Sequence, residues 1–164
     1  MTTTVSLAKK GSIVSTEHVN SLVKNYKLER WLDNSQKIGK PDALSTWYGL
    51  DELQEFLEKA RQNQADGIKM FYGVYPSDHP NEMMAGRQTV VLVATRKSHA
   101  DPRSTNKAIM VSQNGKAEIL AFNLGDMCPP FCGGTPPDYD EDLSMELENI
   151  GLTLQEVNGK LNVI

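Results

Sequence analysis

No stretch of this 164-residue chain approaches the roughly 18 consecutive apolar residues a membrane helix needs, so no membrane span is expected. The opening MTTTVSLAKKGSIVS lacks the apolar centre of a secretory signal, which points to a cytoplasmic protein. Cysteine is scarce, with two residues, Cys128 and Cys132. A chain this long can bury roughly 70% of its unfolded surface, so it needs neither a disulfide nor a metal merely to stay folded. No internal repeat or heptad run is present. The dinucleotide and phosphate-loop glycine patterns are missing, as are G-x-S-x-G and H-E-x-x-H. Basic residues are missing from Gly133 to Ile150, a segment that holds six acids: Asp138, Asp140, Glu141, Asp142, Glu146 and Glu148. Setting those aside leaves 15 of the 21 acids against 17 bases, with no basic stripe able to displace counterions from a phosphate backbone. Nucleic acid is therefore not an expected partner, and the acidic run reads as a solvated loop or short helix.

What is present reads as one domain over 1–164, with 1–13 flexible or a short edge strand. Val19, Leu22, Val23 and Tyr26 fall at i, i+3, i+4, i+7 and predict a helix from Ser15, capped by Ser15 or Thr16. The Asn, Ser, Gly and Pro signals of 34–42 place its end near Asp33. A second helix carries Leu50, Leu53, Phe56, Leu57 and Ala60 on one face. Asp51 and Gln54 are spaced as a capping box, Lys59 and Arg61 suit its C-terminal dipole, and Asp66-Gly67 ends it.

The period then changes to two. Ile68 to Tyr75 alternates, and Thr89 to Thr95 is β-branched and nearly all apolar, as a central strand covered on both faces would be. Asn114-Gly115 between Ala108–Val111 and Ala117–Phe122 predicts a tight hairpin. Asn158-Gly159 between Leu152–Val157 and Leu161–Ile164 predicts a second. Residues 140–150 fit a helix by their leading acids. The expected fold is α+β: a mostly antiparallel sheet of four to six strands, with two main N-terminal helices packed on one face.

Trp47-Tyr48-x-Leu50-x-Glu52-Leu53, Gly67 to Tyr75 (GIKMFYGVY), Thr89 to Val93 and Cys128-Pro129-Pro130-x-Cys132, in that order, resemble a group of short uncharacterised bacterial proteins. The resemblance covers roughly residues 45–132. It implies a bacterial, cytoplasmic, one-domain protein and brings no activity, substrate or cofactor.

Three constellations could carry chemistry. Cys128 and Cys132, spaced by three residues among prolines and glycines, read first as loop thiols. Their spacing also suits half a zinc site. In a simple four-strand meander the loop at 97–106 would reach the same sheet end, adding His99 and Asp101 to Cys128 and Cys132 as metal ligands. A reversible disulfide is the other chemistry open to the pair, although a cytosolic disulfide would normally be reduced. The loop from Pro76 to Gln88 holds His79 beside Asp78 and Glu82, a carboxylate-oriented imidazole of the kind general bases use. The aromatic group Trp47, Tyr48, Phe71, Tyr72 and Tyr75 reads as core. Its Phe71/Gly73/Tyr75 face could instead line a ligand groove, with Lys69, Arg87 and Arg96 at the rim for an anionic small molecule. Together these favour a small non-catalytic binding or interaction domain with a small molecule or protein as partner and no cofactor. A zinc or thiol-redox protein using Cys128 and Cys132 is the alternative, and a small enzyme using His79 or His99 is the weaker one.

Overall fold

In the computed structural model of this chain, residues 11–97, 106–131, 154–157 and 160–163 are described. Residues 11–15 are exposed and without regular structure. Helix α1 spans Thr16–Tyr26, and the Ser15 hydroxyl oxygen caps it by accepting from His18 N–H at 3.3 Å. The helix does not stop at Asp33. It passes through a π-helical turn, Lys27–Trp31, and continues as α2, Leu32–Ile38, closed by Gly39 at φ 70°. The breaking signals at Asn34 and Ser35 are overridden because Ser35 is buried and its hydroxyl accepts from Asp42 N–H at 2.9 Å. That bond folds the Gly-Lys-Pro turn back on the helix, so the chain breaks five residues later than local preference suggests.

Strand β1 is short, Ser45–Trp47, and α3 spans Leu50–Gln62. The cap of α3 sits two residues earlier than expected: Gly49 N–H donates to the Glu52 carboxylate at 2.9 Å. Strands β2 (Gly67–Val74) and β3 (Gln88–Arg96) pair antiparallel over eight residues, from Gly67↔Thr95 to Val74↔Gln88. On its other side β3 is joined by two short antiparallel pieces, β4 (Lys107–Ala108) and, further along, β7 (Ala121–Phe122). Between them the hairpin of β5 (Met110–Gln113) and β6 (Lys116–Ile119) leaves the sheet, with Asn114 and Gly115 at φ 49° and 75° in the expected tight turn. Leu120 N–H donates to Ile109 C=O at 2.9 Å and closes the hairpin's base. One sheet strand is thus interrupted by an inserted arm.

This topology corrects the meander. A meander would have β3 and the strand ending at Phe122 running the same way. Instead β7 runs antiparallel beside β3, with Leu92↔Phe122 and Val93↔Ala121, so Arg96 and Phe122 lie toward opposite ends of the sheet. The premise that set loop 97–106 beside the cysteine segment is removed.

Strand β8, Asp126–Cys128, returns to pair with β1. Strands β9 (Leu154–Val157) and β10 (Lys160–Val163) form the expected C-terminal hairpin. The helix expected at 140–150 and the acidic run lie outside the described residues. The fold is mixed α+β, with its helices in the N-terminal part.

Hydrophobic burial explains the sheet's cover. Phe56 and Ala60 of α3 pack on Leu92 and Ala94 of β3, joined by Ile109 and Leu120. Phe122 stacks between Phe56 and Tyr48, with ring centroids 5.2 and 5.3 Å away. Leu92 to Thr95 are all buried, as the run of β-branched and apolar residues anticipated. Among the described residues α3 supplies the helical side of this core. Helix α1 buries none of its residues, but its Tyr26 reaches Gln88 on the face of the sheet that α3 also covers, so the two helices lie on one face as expected, with α3 the more closely packed. A second buried group gathers where α2 meets the other elements: Trp31, Asp42, Ala43, Arg87, Met127 and Cys128.

Candidate functional site: a groove between the first helix and the sheet

The second buried group is organised by one carboxylate. Asp42 is 3% exposed, and its Oδ1 accepts two backbone N–H groups, from Ala43 and from Gln88, each at 2.7 Å. The Asp42 carbonyl accepts from the Trp31 indole N–H at 2.8 Å. A single residue therefore ties the pieces together: its side chain joins the segment at 42–44 to the start of β3, and its backbone joins both to the long helix. A buried carboxylate is tolerated when such donors replace its hydration. Arg87 is buried nearby and donates to the carbonyls of Met83, Pro41 and Pro129.

This bracing leaves a groove of about 420 Å³ open between α1 and the sheet. Leu22, Val23 and Tyr26 form one wall, Ala43 to Thr46 the other, and Gln88 to Val90 the floor. Tyr72 stands at its lip, 85% exposed and paired with Val90 across the sheet. The Tyr26 hydroxyl donates to Gln88 Oε1 at 2.8 Å. Burial pushes the Tyr26 hydroxyl above its ordinary pKa, and the Asp42 charge adds to the rise, against the opposing hydrogen bond to Gln88. Among the described residues the lining holds no carboxylate, imidazole, thiol or ammonium. Its size lies within the range of small-molecule sites, and its polar side-chain groups are few: hydroxyls of Tyr26, Ser45, Thr46, Tyr72 and Thr89 and the Gln88 amide.

A second, polar cavity of about 270 Å³ lies among Trp47, Tyr48, Glu52 and the 122–126 segment. Here Gly125 passes so close that a Cβ would stand 2.5 Å from the Tyr48 ring and 2.7 Å from Trp47 C=O. The Tyr48 hydroxyl donates to Val90 C=O at 3.0 Å, and burial raises its pKa.

The residues singled out by sequence are distributed differently. Phe71 and Tyr75 do share a sheet face by register, but Arg96 does not join them. It pairs with Lys107 at the far end of β3, on the opposite face, and its guanidinium donates to Gln64. Tyr75 is held by its hydroxyl donating to Asn123 at 2.7 Å, and the Asn123 amide in turn donates to Thr89 and Val90. Gly73 leaves little room, since a Cβ there would already touch Thr89 at 3.3 Å. Of the rim cations, Lys69 donates to Asn106 C=O and Arg87 is buried as above. His79 lies edge-on against Tyr75, centroids 5.0 Å apart, and its Nδ1 accepts from Asn81 N–H at 3.1 Å, where a carboxylate partner was expected. The loop carrying it is braced by Tyr75 N–H to Arg87 C=O and Gly86 N–H to Tyr75 C=O.

Cys128 is not a loop residue. It ends β8, is buried, and is disulfide-bonded. Of the remaining metal candidates, His99, Asp101 and Cys132 lie outside the described residues. Among the described residues no three His, Cys, Asp or Glu side chains are grouped as a metal site would require. No helix among them is long and apolar enough to cross a membrane.

Sequence reasoning missed the groove because it assigned the stripe of α1 to the core. The signal was present: Leu22 and Tyr26 belong to that stripe, and Tyr72 to the aromatic group. Leu22 remains 55% exposed.

No protein-family model matches this chain, and no curated protein or solved structure matches it significantly.

Proposed function

We propose that the protein is a non-catalytic binding domain whose ligand is a neutral, largely apolar small molecule seated between α1 and the sheet. The observation that carries this reading is the groove's lining: aliphatic Leu22, Val23, Ala43, Leu44 and Val90, an aromatic lip at Tyr72, and a few uncharged polar groups among them. Apolar walls supply affinity through burial, and a few fixed hydroxyl and amide groups orient the ligand. Among the described residues the lining carries no charged side chain, which disfavours the anionic ligand suggested by the sequence. A zinc role for Cys128 is not favoured, because its sulfur would have to be a thiolate, and a disulfide-bonded sulfur is not.

The test is titration with a neutral apolar fluorophore such as Nile red, followed by emission and by thermal melting. Saturable binding is expected, with a stabilisation of about 2.7 kcal/mol when free probe is a hundredfold above its Kd. Leu22→Asp, on an exposed position of the groove wall, is expected to weaken binding at least about tenfold while leaving the melting temperature of the free protein within a few degrees. Absence of saturable binding, or equal binding by Leu22→Asp, refutes the reading.

A further inference from the structure

We propose that two copies of this chain pair through the outer edge of β2, antiparallel about a two-fold axis at Phe71, to form one continuous sheet. This does not depend on the ligand reading. Among the described residues β2 is an edge strand of its sheet, joined on one side by β3. Tyr75 N–H donates to Arg87 C=O and Tyr75 C=O accepts from Gly86 N–H, so the odd-numbered residues of the strand turn their backbone groups toward β3. By the two-residue period, Ile68, Met70, Tyr72 and Val74 present theirs to the outside.

Proteins ordinarily blunt such an edge with proline, a bulge or outward charge. Strand β2 contains no proline, pairs without interruption over eight residues, and has one charge, Lys69. The Lys69 ammonium is drawn across the sheet to Asn106 C=O at 2.9 Å, away from the outer edge. Apolar side chains remain exposed along the strand: Met70 69%, Phe71 51%, Tyr72 85% and Val74 69%.

The strand is self-complementary. With Phe71 opposite Phe71 of a second copy, Met70 falls opposite Tyr72, Ile68 opposite Val74 and Lys69 opposite Gly73. The outward-facing residues then exchange backbone hydrogen bonds. Cross-strand aromatic and aliphatic pairs are the favourable kind, and no like charges meet. Allowing roughly 150–250 Å² for a fully exposed large side chain, the exposed parts of these four amount to roughly 500 Å² per copy. A pair would cover at most about 1,000 Å², near the lower bound for a specific interface, which suits a weak, reversible dimer.

Sedimentation equilibrium of the full chain across micromolar to millimolar concentration tests this. A monomer–dimer equilibrium is expected. Met70→Pro removes one outward N–H while sparing the bonds to β3, and Phe71→Lys sets two ammonium groups face to face. Each is expected to weaken dimerisation at least about tenfold. At the axis the two Phe71 positions form a pair without mutual backbone hydrogen bonds, with Cα atoms about 4.5 Å apart, close enough for a disulfide. Phe71→Cys is therefore expected to cross-link to itself under mild oxidation. Tyr72→Cys, whose counterpart is displaced along the strand, is expected to cross-link several-fold more slowly. A protein monomeric at every concentration, a dimer indifferent to both Met70→Pro and Phe71→Lys, or equal cross-linking at both positions overturns the proposal. If Met70→Pro fails to fold, Phe71→Lys, at a half-exposed position, decides.

Discussion

Replacing Asp42 by alanine would test how the groove is held open. The substitution removes Oδ1, which accepts from Ala43 N–H and Gln88 N–H at 2.7 Å each, in a site 3% exposed. Hydrogen bonds to a charged group contribute about 1.5–3 kcal/mol apiece, and a buried N–H left unmatched costs about 1–3 kcal/mol. Allowing for partial entry of water, Asp42→Ala should destabilise by about 3–5 kcal/mol, which for a chain of this size is a fall of roughly 6–20 °C in Tm. Asp42→Asn retains a carbonyl oxygen where Oδ1 stood and should lose about 1–2 kcal/mol, the difference between charged and neutral acceptors. Urea denaturation of the wild type and both variants gives the free energies, and Nile red titration of each gives the state of the groove. Because Ala43, Leu44 and Gln88 all line the groove, Asp42→Ala should also lose probe affinity. Asp42→Ala within about 1 kcal/mol of wild type, or no worse than Asp42→Asn, would mean that the carboxylate does not hold these strands.

Other perturbations have equally definite outcomes. Gly125→Ala should cost about 2–4 kcal/mol, since its Cβ would meet both the Tyr48 ring and an immovable backbone carbonyl at Trp47; a denaturation midpoint like wild type would contradict the close approach. Tyr26 and Tyr48 have pKa values raised in the fold, so their contribution to stability is complete below the unfolded value near 10 and is lost as pH rises through the raised folded values. Melting followed from pH 8 to pH 11 should show a decline at the alkaline end that is shallower in Tyr26→Phe; equal slopes would exclude Tyr26 as a contributor. Purified, oxidised protein should contain zinc far below one atom per chain by plasma mass spectrometry, and a stoichiometric reading that disappears in a Cys128→Ser, Cys132→Ser variant would restore the metal site.

The sequence by itself determined the elements whose signals are local. The stripe of α3, the unbroken apolar run of β3, the alternation of β2 and the Asn114-Gly115 turn each record a periodicity or a backbone angle that neighbouring residues alone decide. Tertiary structure decided the rest. The long helix runs past Asn34 because Asp42 N–H reaches Ser35, a contact with a residue seven positions away that no local preference encodes. Strands β1 and β8 are three residues each, too short to show a period, and exist through their mutual pairing. The inserted arm makes β7 a direct neighbour of β3, so the side chains gathered at one sheet end depend on which edge was joined, a choice set by long-range packing. The candidate site follows the same division. An apolar stripe on α1 is written in the sequence, but covering it or leaving it beside a groove depends on where Asp42 pins the chain against β3, and that is a property of the folded whole.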